Sequence, residues 1–466
     1  MKILVKILAA AIVVFVALQL VHPRIPANPA TAELQAPEPV KNILEKDCYS
    51  CHSNERRLSW FDQIEPGYWL VRHDILTARA HLNFSTIGAK PAAAQKAALY
   101  EAVNMIQLGA MPLPQFTALH PDAKVSAEDL ATLKAYLSPW PSSGSQTAAA
   151  VGSGKSDARS GEVPAQPHLL ASLSAVQPEK NGLAFDPQFE GWKLISITER
   201  GDNNTFRFIL GNDIAIRAIQ SGKITPWPDG ARMAKIAWQR ATGSDGLLYP
   251  GKFVQVELMV KDSRAYEGTD GWGFGRWRGL NLEPYGKNAG FVRECTGCHE
   301  PVSGNDFVYT LPIAAITTKK EEVVNSSAAA LPASLPWQPL GWRPITLSVD
   351  PSTHEMATLF GNDAALNAVR SARGAEGGSG ADRQVAYPAG AVLALVTWGQ
   401  RDDPHWFGAR IPDAPHSVEF AEIEAGKVPA KYRKFAGVGL AEIASDRDTA
   451  AQRTKYLLNL SPVELP

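Results

Sequence analysis

The four cysteines of this chain stand in two matching runs, CYSCH at 48–52 and CTGCH at 295–299. Two thiols at this spacing can fasten one edge of a porphyrin through thioether bonds, and the histidine that follows reaches the iron. A redox Cys-x-x-Cys needs no fixed histidine after it, and a zinc site needs a second ligand pair close by. The spacing therefore predicts two covalently bound c-type haems, one on Cys48 and Cys51 and one on Cys295 and Cys298, with His52 and His299 as iron ligands.

The second axial position differs between the two sites. After His52 the periodicity predicts a helix over 91–110, an extended Pro-flanked strap MPLP at 111–114, and a closing amphipathic helix over 126–137 with Leu130, Leu133 and Leu137 on one face. Met111 on that strap is the expected sixth ligand, with His73, His81 or His120 as alternatives and Met105 as a packing residue. Small cytochromes c use a similar order of elements. Between 183 and 316 the methionines are Met233 and Met259, both in candidate strands, and His299 is the only histidine. The second iron is thus expected to keep a free face, although Met233 shares a strand face with Lys235 and stays open as a ligand. An iron open on one face can bind small molecules, whereas one held on both faces passes electrons.

The surrounding elements follow from the rest of the chain. At 466 residues and 45% hydrophobic content the chain exceeds one core. Forty-six basic against 47 acidic residues leave no charge excess to recruit nucleic acid, so small molecules and proteins are the expected partners. Residues 1–22 set Lys2 and Lys6 around an apolar run that ends at His22-Pro23, which reads as a signal or anchor with its amino end inside. The expected location is the periplasm, anchored to the bacterial inner membrane; the alternative is a cleaved signal, with cleavage in PANPATA and a soluble periplasmic product. Residues 23–139 form a haem domain, and 140–167, rich in Ser, Gly and Ala, read as a flexible linker.

An internal repeat follows. GWKLISITERGDNNTFRFILGNDIAIRAIQS from Gly191 aligns without gaps to GWRPITLSVDPSTHEMATLFGNDAALNAVRS from Gly341, and WPDGARMAKIAW (227–238) meets YPAGAVLALVTW (387–398) after a Gly-rich insertion near 374–383. The second copy has no cysteine and carries Leu395 where the first has Lys235. Candidate strands ARMAKIAW, FVQVELMV and GWGFGRW predict a multidomain chain: an α-helical, cytochrome c-like domain followed by two α+β antiparallel-sheet units, 183–316 with haem and 334–460 without, packed as a pseudo-dimer. The stretch WGQRDDPHWFGARIPDAPH is expected either to cap the first unit or to recruit a partner, and His354, His405 and His416 are expected at the surface.

DCYSCHSNERRLSWFDQIEPGYWLVRHDI, HLNF and MPLPQF resemble the haem-binding domain family of bacterial membrane-anchored proteins over about residues 1–140. WPDGARMAK, GWGFGRW, CTGCH and NDFVYT resemble the cytochrome P-460 family over about 190–315. That second resemblance implies a covalent bond from Lys235 to the porphyrin, His299 on iron, an open opposite face, and oxidation of hydroxylamine or binding of nitric oxide. It also implies an acidic residue that removes protons, for which Asp306 is the candidate. Catalytic roles thus fall to Lys235 and Asp306, and electrons would leave through the His52 haem to a partner cytochrome or other acceptor. The competing readings are a gas-binding cytochrome without turnover and a plain electron carrier.

Overall fold

The computed structural model describes residues 2–138, 173–313, 326–374, 385–425 and 430–466, so the linker and nearly all of the Gly-rich insertion lie outside it. The chain divides into two compact units, Met1–Pro141 and Ser142–Pro466.

The first unit is helical: α1 Lys2–Gln19, α2 Glu38–Asp47, α3 Tyr49–His52, α4 Gly67–His81, α5 Ala92–Gln107, α6 Pro114–Leu119 and α7 Ala127–Leu137. Ser126 caps α7 by accepting from the Asp129 N–H at 3.0 Å, which satisfies one of the helix's orphan donors. Leu133 and Leu137 are buried as α7 packs on α2 and α5, and Tyr100 of α5 donates its hydroxyl to the Leu137 carbonyl. Among the described residues no helix is long and apolar enough to cross a membrane. The 18 residues of α1 rise about 27 Å, a little short of a hydrocarbon core of roughly 30 Å.

Among the described residues the second unit carries twelve strands in one antiparallel sheet. The first copy supplies β1 Lys193–Arg200, β2 Thr205–Gly211, α8 Asp213–Gln220, β3 Arg232–Thr242, β4 Leu248–Lys261, β5 Trp272–Arg278, β6 Glu283–Pro284 and α9 Val292–His299. After α10 Ser326–Ala329, the second copy supplies β7 Arg343–Asp350, β8 Glu355–Gly361, α11 Asp363–Gly374, β9 Val392–Asp402, β10 Ala409–Glu422, β11 Lys431–Ala436, β12 Ala441–Ile443 and α12 Arg447–Asn459. The registers repeat: Lys193 faces Gly211 in β1–β2, and Arg343 faces Gly361 in β7–β8. Asn212 caps α8 and Asn362 caps α11, each accepting from the N–H three residues on.

The two antiparallel-sheet units, expected to pack as a pseudo-dimer, share one sheet. Strand order β1-β2-β3-β4-β7-β8-β9-β10 closes on itself, because Leu248 pairs with Val349 and Glu199 and Arg200 pair with Arg410 and Ala409. The result is one barrel of eight strands, with β5–β6 extending from β4 and β11–β12 from β10. Each copy alone would leave an unpaired edge at its first strand and at the start of its fourth, and closure joins these. A single apolar cluster inside the barrel takes residues from both copies, among them Phe208, Ile236 and Val256 with Met356, Val396 and Phe420. Two fully buried indoles find partners there: Trp238 donates to the Glu464 carbonyl at 2.6 Å and Trp398 to that of Ala329 at 3.0 Å.

Candidate haem sites

The second cysteine run lies on α9, and the turn that follows it aims the histidine. Asp306 and Phe307 take left-handed backbone angles, φ +50° and +64°, which direct the Phe307 carbonyl at His299. The His299 Nδ1–H donates to that carbonyl at 2.7 Å, so Nε2 keeps its lone pair for iron. Burial pushes the imidazole down to about 4, helped by the positive charge of Lys235, so the ring is neutral at physiological pH. Asp306 is what locks this turn. Its buried carboxylate accepts from Lys261 Nζ at 2.8 Å and from the Trp227 backbone N–H at 2.8 Å. Asp306, expected to remove substrate protons, has its oxygens bound to these two donors and holds the turn behind His299.

Strand alternation brings a different carboxylate forward. On the outer face of the barrel Lys235 of β3 lies directly across from Glu257 of β4, which lies directly across from Arg276 of β5. Glu257 pairs with the Lys235 ammonium and sits 3.1 Å from Arg276 Nε. The Phe274 ring, one step along the same face, is 5.2 Å from His299, and Met233 joins Cys295 in the apolar cluster beneath α8. Lys235 therefore points to the cysteine side of its strand, as expected, with Ala237 as its small neighbour. Burial lowers the Lys235 amine to about 8. Burial acts to raise Glu257, but the charges of Lys235, Arg276 and Arg207 overcome it and hold the carboxyl at about 2. Arg207 of β2 lies opposite Ala237, one step along the same face from that row; burial pulls its guanidinium to about 9, and its Nε is buried without a partner among the described residues.

These groups fit a haem. The Cys295 thiol, raised to about 11 by burial, stands where the charges of Arg276 and Glu257 reach it. His299 offers Nε2, and the orphaned Arg207 Nε is a donor suited to a porphyrin carboxylate. Glu257 escaped sequence reasoning, yet the repeat carries its signal: VEL at 256–258 recurs as VEF at 418–420.

In the first unit His52 ends α3 and donates Nδ1–H to the Leu82 carbonyl at 3.0 Å, the same arrangement as His299, and burial lowers its pKa. Met111 lies on the non-helical segment between α5 and α6, partly buried, its N–H donating to the Met105 carbonyl at 3.1 Å. His120 is withdrawn as an alternative ligand. Its Nε2 lies 3.1 Å from Asp62 and 3.0 Å from Ser59, and its Nδ1 lies 3.1 Å from the Phe116 carbonyl. His73 and His81 are exposed on α4.

The corresponding face of the second copy is covered by the chain itself. Leu395 and Glu419 face each other as Lys235 and Glu257 do, and Lys434 stands at the place of Arg276. Arg453 of α12 binds both Glu419 oxygens at 2.8 Å, and Leu457 packs in one apolar cluster with Leu393 and Leu395. Helix α12 thus lies on the strands where the first copy carries its cysteine helix.

Two imidazoles presented alike, each closing a Cys-x-x-Cys run, define a haem cytochrome. Residues 8–139 match the haem-binding domain family and residues 187–310 match the cytochrome P460 family. No curated protein matches the chain.

Proposed function

We propose that this chain is an exported cytochrome with two covalently bound c-type haems, oxidising hydroxylamine or a related small nitrogen species at the His299 site. Electrons then leave through the His52 haem to a redox partner. The observation that carries this reading is the row Lys235, Glu257 and Arg276, on three neighbouring strands, turned toward Cys295 and His299. A haem there would supply the coordination site for the substrate nitrogen and the acceptor for its electrons. His299 would hold its iron through Nε2. Glu257 is ionised at neutral pH and accepts protons from the substrate's N–H and O–H groups, while Arg276 and Arg207 keep it in place. It is a weak base while Lys235 is charged, because Lys235 is the strongest attraction holding it low. A Lys235 nitrogen bonded to a porphyrin carbon would carry no charge at neutral pH, and the carboxylate would gain basicity.

In this reading the second copy is a degenerate repeat that lost its cofactor and kept its strands to close the barrel. Membrane attachment is supported by α1, whose Ile3, Leu4 and Val13 are 76%, 74% and 67% exposed, an apolar surface that lipid would cover.

The test pairs tryptic haem peptides with the ferrous spectrum. Mass spectrometry should find haem on Cys48/Cys51 and on Cys295/Cys298, the second also carrying the Lys235 peptide, and hydroxylamine should reduce the His52 haem. One haem alone, or zinc in either place, overturns the proposal; an ordinary c-type spectrum without turnover leaves a gas-binding cytochrome. Lys235→Leu, which copies the second repeat, should keep haem on Cys295 and Cys298 and keep carbon monoxide binding. It should show a plain c-type spectrum and lose hydroxylamine oxidation. A variant with the parent spectrum and activity would remove Lys235 from the mechanism.

Met111→Ala should change the spectrum and potential of the His52 haem and leave carbon monoxide binding at the other haem unaltered. An unchanged His52 haem would transfer ligation to His73 or His81.

A further inference from the structure

The hairpin between β9 and β10 belongs to the second copy, yet it contacts Tyr309, whose ring lies against His299. His405, expected at the surface, is partly buried, and its Nδ1–H donates to the Tyr309 carbonyl at 2.7 Å. The Tyr309 ring lies edge-on to His299 at 5.3 Å and edge-on to Trp406 at 5.4 Å, and its hydroxyl donates to the Cys298 carbonyl at 2.5 Å. Trp406 is fixed in turn: its indole N–H donates to Asp202 at 3.2 Å and Arg200 covers its ring at 4.2 Å. The Gly408 carbonyl accepts from the Gly201 N–H at 2.8 Å, next to the β1–β10 pairing that closes the barrel. A piece of the second copy is thus bonded to the segment 307–309, and that segment carries the carbonyl to which His299 donates.

We infer that the β9–β10 hairpin is part of the His299 haem site, with His405 and Trp406 as positioning residues that hold the 307–309 segment against the proximal imidazole. This rests on a haem at His299 and is independent of which molecule that haem acts on. The physical link is the Nδ1–H···O bond from His299 to Phe307. It increases the electron donation of the ring to iron and favours the ferric state, so its strength sets the potential. Tyr309 is two residues beyond Phe307, and its carbonyl and ring are both held from the hairpin. Freeing the segment lets the Phe307 carbonyl drift, which weakens that bond. The cofactor-free repeat thereby supplies one wall of its neighbour's site.

The test uses the full-length protein with both haems, the His52 haem serving as internal control. In His405→Ala the midpoint potential of the His299 haem should rise and its ferrous iron–histidine stretch should fall in frequency, while the His52 haem is unchanged. Covalent haem at Cys295/Cys298, checked by mass, separates failure of this inference from absence of the haem. Asparagine places an amide N–H where the imidazole Nδ1 lies, so His405→Asn should restore both readouts. Should the alanine protein not accumulate, His405→Phe keeps the ring volume, removes only the donor, and should show the same shift. A haem-loaded Ala or Phe variant with the parent potential and stretch overturns the inference, even if its melting temperature falls. Equal shifts at both haems, or no rescue by asparagine, would report general loosening and overturn it too.

Discussion

Glu257→Gln is expected to lower hydroxylamine oxidation by about 10²–10⁴-fold, the usual contribution of a positioned acid or base. Glutamine keeps the shape and cannot accept a proton. Covalent haem and carbon monoxide binding at the His299 site should survive, because neither uses the carboxylate. The substitution also strips the anion from among three cations, Lys235, Arg276 and Arg207. Removing one partner of a fully buried pair costs about 3–5 kcal/mol; here Lys235 and Arg276 are 30% and 28% exposed, so the loss should be smaller, about 2 kcal/mol. The pH dependence carries a second signature. The folded state holds Glu257 at about 2, below the ordinary carboxyl value of 4.5, so its contribution is complete above that value and disappears as pH falls toward 2. Melting curves of the glutamine protein should lack that part of the acid dependence. Turnover at the parent rate would remove Glu257 from proton transfer and leave it a structural counter-ion.

Asp306→Ala should destabilise the second unit by about 3–5 kcal/mol, among the largest losses a single site can produce. The side chains of Asp306 and Lys261 are only 10% and 8% exposed, so alanine leaves a buried ammonium with the Asp270 carbonyl and the Trp272 ring but no counter-charge, and leaves the Trp227 N–H without its acceptor. Denaturant unfolding followed by tryptophan fluorescence measures this directly. The turn that aims the Phe307 carbonyl also loses its lock, so the His299 haem should shift to higher potential in whatever protein folds. Asp306→Asn, which can still accept from Trp227, should be damaged less than alanine. A loss below about 1 kcal/mol would show that the left-handed turn at 306–307 stands without the carboxylate.

Much of this molecule is legible without coordinates, and for one reason: those features are local. The cysteine runs carry their own ligand spacing; Asn212, Asn362 and Ser126 announce helix starts; strand alternation puts Met233, Lys235 and Ala237 on one face. Both copies of the repeat adopt the order and register that their alignment implies. The same alternation predicts that a residue on β4 must face Lys235, but the register that selects Glu257 depends on the irregularity in β3–β4 near Trp238, which no periodicity encodes.

The rest depends on segments far apart in sequence. Which strand edge receives Glu199 and Arg200 is decided by β10, some two hundred residues on, and barrel closure follows from the need to satisfy both edges at once. Asp306 looked like a free acid because aspartate after a ligand run is chemically plausible; only the folded chain brings Lys261 and Trp227 to it. Likewise α12 covers Leu395 and Glu419, and His405 reaches Tyr309, through contacts that arise after the barrel has closed. Residue types and spacing determined what chemistry the chain can hold, since covalent attachment and axial ligation are matters of a few bonded atoms. Tertiary structure alone decided which carboxylate faces Lys235 and which imidazole reaches Tyr309, because burial and pairing are properties of the assembled strands.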